Sequence, residues 1–492
     1  MNRIAAPLYG MSVAVTVAML LGMAHGSLTG AIAGASLAIG AAICAFAFVA
    51  ADQEPGTGRR ISAWGWGTIL LFALFSLRAF LWLIFRERDA IAVLSPNNTG
   101  DMSLHLTYIN YFASGAPFWP ANPIHANAPL AYPIGIDLFN SLLTLIGVDT
   151  IRGLIWVGLA GCALTGAALW KWGGAFTMLG FLCNGGLLGF AFFSRWRFLD
   201  YQSEAAWPDN FPEIGWKSIP LALFVTQRGF LFALPAGLLL LTSWRRRYFE
   251  MDREKPPLPW LGEWLLYVTL PLFHLHTFLF LSLLLGAWFL IQRPARMRLA
   301  LFVAASLLPA SALVFLVTGR FSGASVIGLQ LGWMQGAQNF FAFWLSNFGV
   351  LPFLVILLAL LLLRDLRNPW PAAVVFPSIG VFLLCCVVRF APWEWDNTKL
   401  MIWSYLAILP ALWREVIAQF AMLPRALICG LLFFSGFVSL IGGLDATHVG
   451  FPIGTRSELD GVASALRTLP GHDRFIGHPT YNHPLLLLGR PM

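Results

Sequence analysis

Charge is what this sequence has least of. Asp, Glu, Lys and Arg supply 11% of its 492 residues, against roughly 25% in a soluble globular chain. Too few charges remain to cover a surface of that size, which excludes a soluble fold. Cysteine is scarce too: Cys44, Cys162, Cys183, Cys385, Cys386 and Cys429 all fall in apolar runs, and none has Cys-x-x-Cys spacing. Neither a zinc site nor a disulfide framework is implied. There is no Gly-rich phosphate loop, Ser-His-Asp signature or His-Glu-x-x-His stretch. No internal repeat is visible, which weighs against transporters built from inverted repeats.

What the chain has in quantity is apolar sequence, 58% by residue. It comes in runs of about 18–25 residues, the length that crosses a hydrocarbon core of ~30 Å. The runs are continuous rather than alternating, so a barrel is excluded in favour of an all-α, polytopic membrane protein. The net charge of +8 is then topological, through the excess of Lys and Arg in cytoplasmic loops, and calls for no nucleic acid.

Candidate spans are residues 7–25, 27–50, 62–85, 152–169, 173–193, 218–243, 261–291, 298–318, 338–363, 371–389, 400–413 and 424–443. The run after Arg3 lacks a cleavage site and is expected to stay as the first span. Arg59-Arg60, Arg245-Arg246-Arg247 with Arg253 and Lys255, Arg293/Arg296/Arg298, Arg364/Arg367 and Arg414/Arg425 form five basic loops, all expected on the cytoplasmic side with the N-terminus. Simple counting breaks this rule twice. Residues 134–148 must therefore lie as a surface helix, and 261–291 must turn back on itself at Pro271-Leu272-Phe273-His274-Leu275-His276. Non-helical backbone at that depth is tolerated only beside protein or a wet cavity, so His274 and His276 would line one. The expected total is about 13 spans over residues 1–443, followed by a short outer extension, 444–492. The run Leu485–Leu488 with Gly489-Arg490 reads as an exposed apolar end.

With those corrections the polar chemistry gathers on the outer side. The first outer loop, 86–133, is rich in Pro, aromatic and Asn residues, which suggests an ordered loop. Asp101 and His105 are four apart and would share a helix face. Asp101 could deprotonate a hydroxyl or ligate a divalent cation, with His105 orienting it; it could equally cap the helix. A second outer loop contains Arg195, Arg197, Asp200, Tyr201, Glu204, Trp207, Asp209, Asn210, Glu213, Trp216 and Lys217. It leads to Thr226-Gln227-Arg228-Gly229 within an apolar run. An arginine there costs about 2.5–3.5 kcal/mol on insertion scales, and its guanidinium suits a phosphate; a structural ion pair is the alternative. A third cluster is Trp393-Glu394-Trp395-Asp396-Asn397-Thr398-Lys399. Its tryptophans could be an interfacial belt, but its acids, amide and lysine suit sugar or phosphate recognition. The tail contributes Arg456, Asp460, His472, Asp473 and Arg474 and would close over the cavity.

Asp101, His105, Gly115, Pro117, Asn122-Pro123 and Pro129-Leu130-Ala131-Tyr132-Pro133, together with the surface helix and the broken hairpin, resemble the multi-pass glycosyltransferases of the GT-C fold. The likeness is specific over about residues 62–170 and architectural to about residue 443. It implies a transferase in a bacterial inner membrane that uses a polyprenyl-phosphate-linked sugar donor and an envelope glycan, lipid or protein acceptor. Asp101 matches the position of the family's first-loop catalytic residue. Arg228 and Lys399 would hold the donor phosphate, and Gln227, His274, His276, Trp393, Glu394, Asp396, Asn397 and Tyr132 would shape the pocket. The paired acids of a metal-dependent first loop are absent, so a divalent cation is an open expectation rather than a required cofactor. The rival expectations are a transporter or flippase for a lipid or anionic solute, and a non-catalytic assembly subunit.

Overall fold

In a bilayer, backbone groups find no water, so apolar runs close their hydrogen bonds within themselves as helices. The computed structural model describes residues 2–51, 61–203, 214–250, 256–321, 327–364, 369–445, 450–470, 473–478 and 480–492. Helices α1 (Asn2–His25), α2 (Gly30–Val49) and α3 (Ala63–Leu81) come first. Thr29 and Ser62 cap α2 and α3 by accepting from the backbone of Ile32 and Gly65. Strands β1 (Phe85–Glu87) and β2 (Ala90–Val93) follow, then α4 (Thr99–Ala113), α5 (Gly135–Leu145), α6 (Thr150–Leu182) and the single turn α7 (Phe192–Arg195). The second half holds α8 (Phe230–Trp244), α9 (Trp260–Phe273), α10 (Leu275–Ile291), α11 (Arg296–Val317), β3 (Gly328–Leu329), α12 (Phe340–Phe348), α13 (Leu351–Arg364) and α14 (Pro369–Cys385). It closes with β4 (Val388–Arg389), α15 (Thr398–Ala411), α16 (Met422–Gly443), β5 (Phe451–Thr455), α17 (Arg456–Ala465) and α18 (Pro484–Leu487). Among the described residues seven helices are long and apolar enough to cross a membrane, or eight if one bent pair counts as a span. The architecture is that of an all-α polytopic membrane protein.

Three breaks shape it. Tyr267 on α9 and Ser282 on α10 share a hydrogen bond of 2.8 Å. On one straight helix, fifteen residues would separate them by about 22 Å. The chain therefore reverses at His274, whose backbone is extended, as the parity of the basic loops requires. The second reversal is inside α6, at Gly173 and Gly174, the latter with φ of +67°. Phe72 packs against Gly166 on one side of this break and against Phe181 on the other, so the two limbs run side by side, as the separate runs 152–169 and 173–193 anticipate. The third break corrects an expectation. Residues 338–363 are not one straight span: α12 and α13 meet at 96°, where Gly349 takes the left-handed φ of +58° that favours glycine. At eleven residues, α5 is about 16 Å long and too short to cross, in keeping with a surface helix.

The basic loops gather at one end. Trp370 packs against Trp172, Phe249 and Trp288, Gln292 donates to the carbonyl of Tyr248, and Arg425 lies over Trp413. Arg59, Arg60, Arg253, Lys255 and Arg367 lie outside the described residues.

The opposite end carries the loops. Here β1, β2 and β5 form a three-stranded antiparallel sheet, which ties the tail to the first loop. Asp89 accepts from the backbone and hydroxyl of Ser457. The expected exposed apolar end is contradicted: Leu486 and Leu487 are buried and Asn110 of α4 donates to the Leu487 carbonyl at 2.7 Å. Gly489, with φ of +73°, lies against the backbone of Asn110 and Tyr111 where no side chain would fit. Arg474 donates to the carbonyls of Asn122 and Met492. The leucines cover an apolar face of α4 instead of standing free.

Candidate functional site

Five separate stretches meet at the loop-bearing end. The first is α4. A 3-10 turn, Pro96–Asn98, leads into it and puts Asn98 at the N-cap. Asp101 therefore lies in the first turn and not at the cap, where a carboxylate still gains from the helix dipole. Asp101 and His105 look towards the same neighbour, the interruption at 226–229 that precedes α8. Gln227 donates its side-chain amide to Asp101 Oδ2 at 3.4 Å. His105 Nε2 lies 3.2 Å from the Thr226 carbonyl.

The partner of His105 is Asp137, in the first turn of α5. His105 Nδ1 is 2.9 Å from both of its carboxylate oxygens, and both side chains are 1% exposed. Both ring nitrogens thus face acceptors, an arrangement that a doubly protonated ring satisfies. The two acids consequently differ in what they are free to do. Asp137 is buried and committed to His105, whereas Asp101 is partly exposed and has a single long bond from Gln227.

Tyr132 stands between them. Its ring packs on Tyr108 at 5.2 Å and edge-on to His105 at 6.2 Å. Burial pushes its phenol pKa well above the usual value, and the charges of Asp137, Asp101 and, more weakly, Asp396 push it further the same way. It stays a neutral donor at any physiological pH. The Asp396 charge is the weakest of these influences on Tyr132. Lys399 Nζ is 3.0 Å from Asp396 Oδ1 and only 11% exposed.

The hairpin tip completes the group. Two glycines let it dock closely: a Cβ on Gly229 would sit 1.8 Å from the Phe273 carbonyl oxygen, and one on Gly135 would clash with Phe273 and Leu272. His274 and His276 have ring centroids 5.7 Å apart, and the Lys399 charge acts on both. Asp101, Gln227, Tyr132, His105–Asp137 and the hairpin tip are joined by contacts, and the Asp396–Lys399 pair acts on this group through its charges.

Four expected pocket residues are used otherwise. Arg228 is fully buried, donates to the Leu154 carbonyl at 2.9 Å and lies over Phe80. The backbone break turns it towards α3 and α6 while Gln227 turns to Asp101. Trp393 is 76% exposed. Glu394 accepts from the backbone of Met334 and the indole of Trp333, fastening the 327–339 loop. Asn397 spends its amide on Phe390, Cys385 and Val388, which fixes the entry to α15. Glu204, Trp207, Asp209, Asn210, Glu213 and His472 lie outside the described residues. Among the described residues no three His, Cys, Asp or Glu side chains are grouped to hold a metal ion.

Sequence reasoning missed Asp137 as the partner of His105. A carboxylate within the apolar run Ile134–Leu145 was the available signal, because such a group is costly unless paired. It also missed Thr277, which bonds to His274 three residues away, and Trp403, which donates to Thr277 from a helix far away in sequence.

The fold and this polar cluster define a helical integral membrane protein with a polar site at one end of its bundle. No family model matches the sequence, and no curated protein matches it.

Proposed function

We propose that the chain is a GT-C-type glycosyltransferase of a bacterial inner membrane, with its active site on the outer face. In this reading about thirteen crossings, counting both limbs of the hairpins, hold the basic loops in the cytoplasm and the tail outside. The donor is a sugar linked to a polyprenyl phosphate, and the acceptor is a hydroxyl. Asp101 takes the acceptor proton, the acceptor oxygen bonds to the anomeric carbon, and the bond from that carbon to the phosphate oxygen breaks, releasing polyprenyl phosphate. Gln227 orients the carboxylate, and Lys399 neutralises the phosphate as it leaves.

The observation that carries this reading is the division of labour between two carboxylates. Asp137 is buried against His105, while Asp101 is partly exposed and takes a single long hydrogen bond, from Gln227, among the described residues. Asp101→Asn keeps the size and the contact with Gln227 but removes the base. Sugar transfer in reconstituted vesicles should fall by about 10²–10⁴-fold at normal expression. Retained transfer would leave Asp101 a structural residue; labelled lipid or solute crossing the vesicle without chemical change would favour a flippase.

A further inference from the structure

His274 is held in a way that substrate shaping alone does not require. The indole N–H of Trp403 donates to Thr277 Oγ1 at 2.7 Å. Thr277 Oγ1 lies 2.8 Å from His274 Nδ1. The Thr277 backbone N–H donates to the same nitrogen at 3.2 Å. A ring nitrogen that accepts from a backbone N–H carries no proton, so the Thr277 hydroxyl donates to Nδ1 as well and the ring proton of the neutral imidazole is on Nε2. Among the described residues that Nε2–H has no partner, although the side chain is 4% exposed and Trp403 and Thr277 are fully buried. Buried donors are rarely left unpaired in native structures, and each exception calls for an explanation. Lys399, whose Nζ pairs with Asp396 at 3.0 Å, is a cation whose charge reaches the His274 ring, and an anionic oxygen is the acceptor that would match both donors.

We propose that His274, locked as the Nε2–H tautomer by Thr277 and Trp403, donates a hydrogen bond to a phosphate oxygen of the lipid-linked donor beside Lys399. The role rests on the polyprenyl-phosphate reading and adds two positioning residues, Thr277 and Trp403, that do not touch the ligand. The fixed tautomer distinguishes phosphate from a neutral lipid alcohol, because a neutral donor in a dry site is best matched by a charged acceptor.

The test uses the full chain in nanodiscs, with farnesyl phosphate, farnesol and inorganic phosphate as probes and tryptophan fluorescence as the binding signal. Histidine ¹⁵N spectra report the tautomer without any need for activity. His274 should carry its proton on Nε2. His274→Ala should weaken farnesyl phosphate about tenfold or more and leave farnesol unchanged, while His274→Gln, which keeps an N–H donor, should retain most of the affinity. Thr277→Val should lose the single tautomer and part of the phosphate affinity together. A proton on Nδ1, or wild-type farnesyl phosphate affinity in His274→Ala, overturns the proposal and leaves the transferase reading standing. No farnesyl phosphate binding by the wild type overturns both. Inorganic phosphate bound as tightly as farnesyl phosphate, and lost with His274, supports the donor role and contradicts the lipid-linked source.

Discussion

Removing Asp137 should be far more damaging than removing an ordinary surface acid. Asp137 and His105 are each 1% exposed, and Nδ1 meets both carboxylate oxygens at 2.9 Å. Asp137→Ala leaves the imidazole facing one backbone carbonyl with nothing opposite, in a buried site. Breaking a buried pair by deleting one partner costs about 3–5 kcal/mol. Asp137→Asn keeps an acceptor for Nδ1 and loses only the charge, so a smaller loss of about 1–3 kcal/mol is expected. His105→Ala should cost about as much as Asp137→Ala, for the converse reason. The double variant should cost less than the sum of the two, because no unpaired group remains once both are gone. A coupling of about 2 kcal/mol, within the range for residues in one network, is the expected value. SDS-titrated unfolding in mixed micelles, followed by tryptophan fluorescence, measures all four proteins on one scale. Singles within 1 kcal/mol of wild type, or strict additivity in the double, would refute the claim that this pair fastens α4 to α5.

Other consequences follow from the same contacts. Gly229→Ala would place a methyl on the Phe273 carbonyl and should reduce the folded yield sharply, as seen by size-exclusion fluorescence, whereas Gly286→Ala, with open space around it, should not. Tyr267→Phe removes one hydrogen bond across the hairpin and should cost about 1 kcal/mol in the same unfolding assay. The Asp89 carboxyl is held below its usual pKa chiefly by the hydrogen bonds from Ser457. The tail's docking on β2 is therefore stabilised above the free carboxylate value of about 3.9 and loosens as pH falls through the lower, folded value. Protection of the β5 amides against exchange, relative to the intrinsic rate, should fall at acid pH, and Ser457→Ala, which removes the hydroxyl and keeps the backbone bond, should weaken that dependence. Cysteines placed at His125 and Arg246 should react with a membrane-impermeant maleimide from opposite sides of the bilayer; labelling from one side would contradict the proposed orientation.

Much of the architecture is written in hydropathy and loop charge, because both act over whole segments. The reversal at His274 follows from basic loops on either side of a single apolar run. The shortness of α5, eleven residues, agrees with the same count. Local conformation is less legible. The bend at Gly349 depends on one left-handed residue inside an unbroken apolar run, which no hydropathy window resolves. The strands β1, β2 and β5 are too short to show an alternating pattern, and their pairing joins residues 90–93 to 451–455. In the site, residue type pointed to Asp101, His105, Gln227, Lys399 and the histidines, since polar groups next to apolar runs stand out. The direction of each side chain did not follow. Arg228 and Gln227 are neighbours, yet a break in the helix sends one into the core and the other to Asp101. The terminal leucines look exposed in sequence because the face of α4 that they cover is assembled only by folding.

A structure of the full chain with a bound polyprenyl phosphate tests the central claim most directly. The account predicts the phosphate in hydrogen-bonding reach of Lys399 Nζ and His274 Nε2, with Asp101 facing the side from which an acceptor would approach. A phosphate held at the arginine-rich end, or one at the loop-bearing end but remote from Lys399 and Asp101, would contradict it.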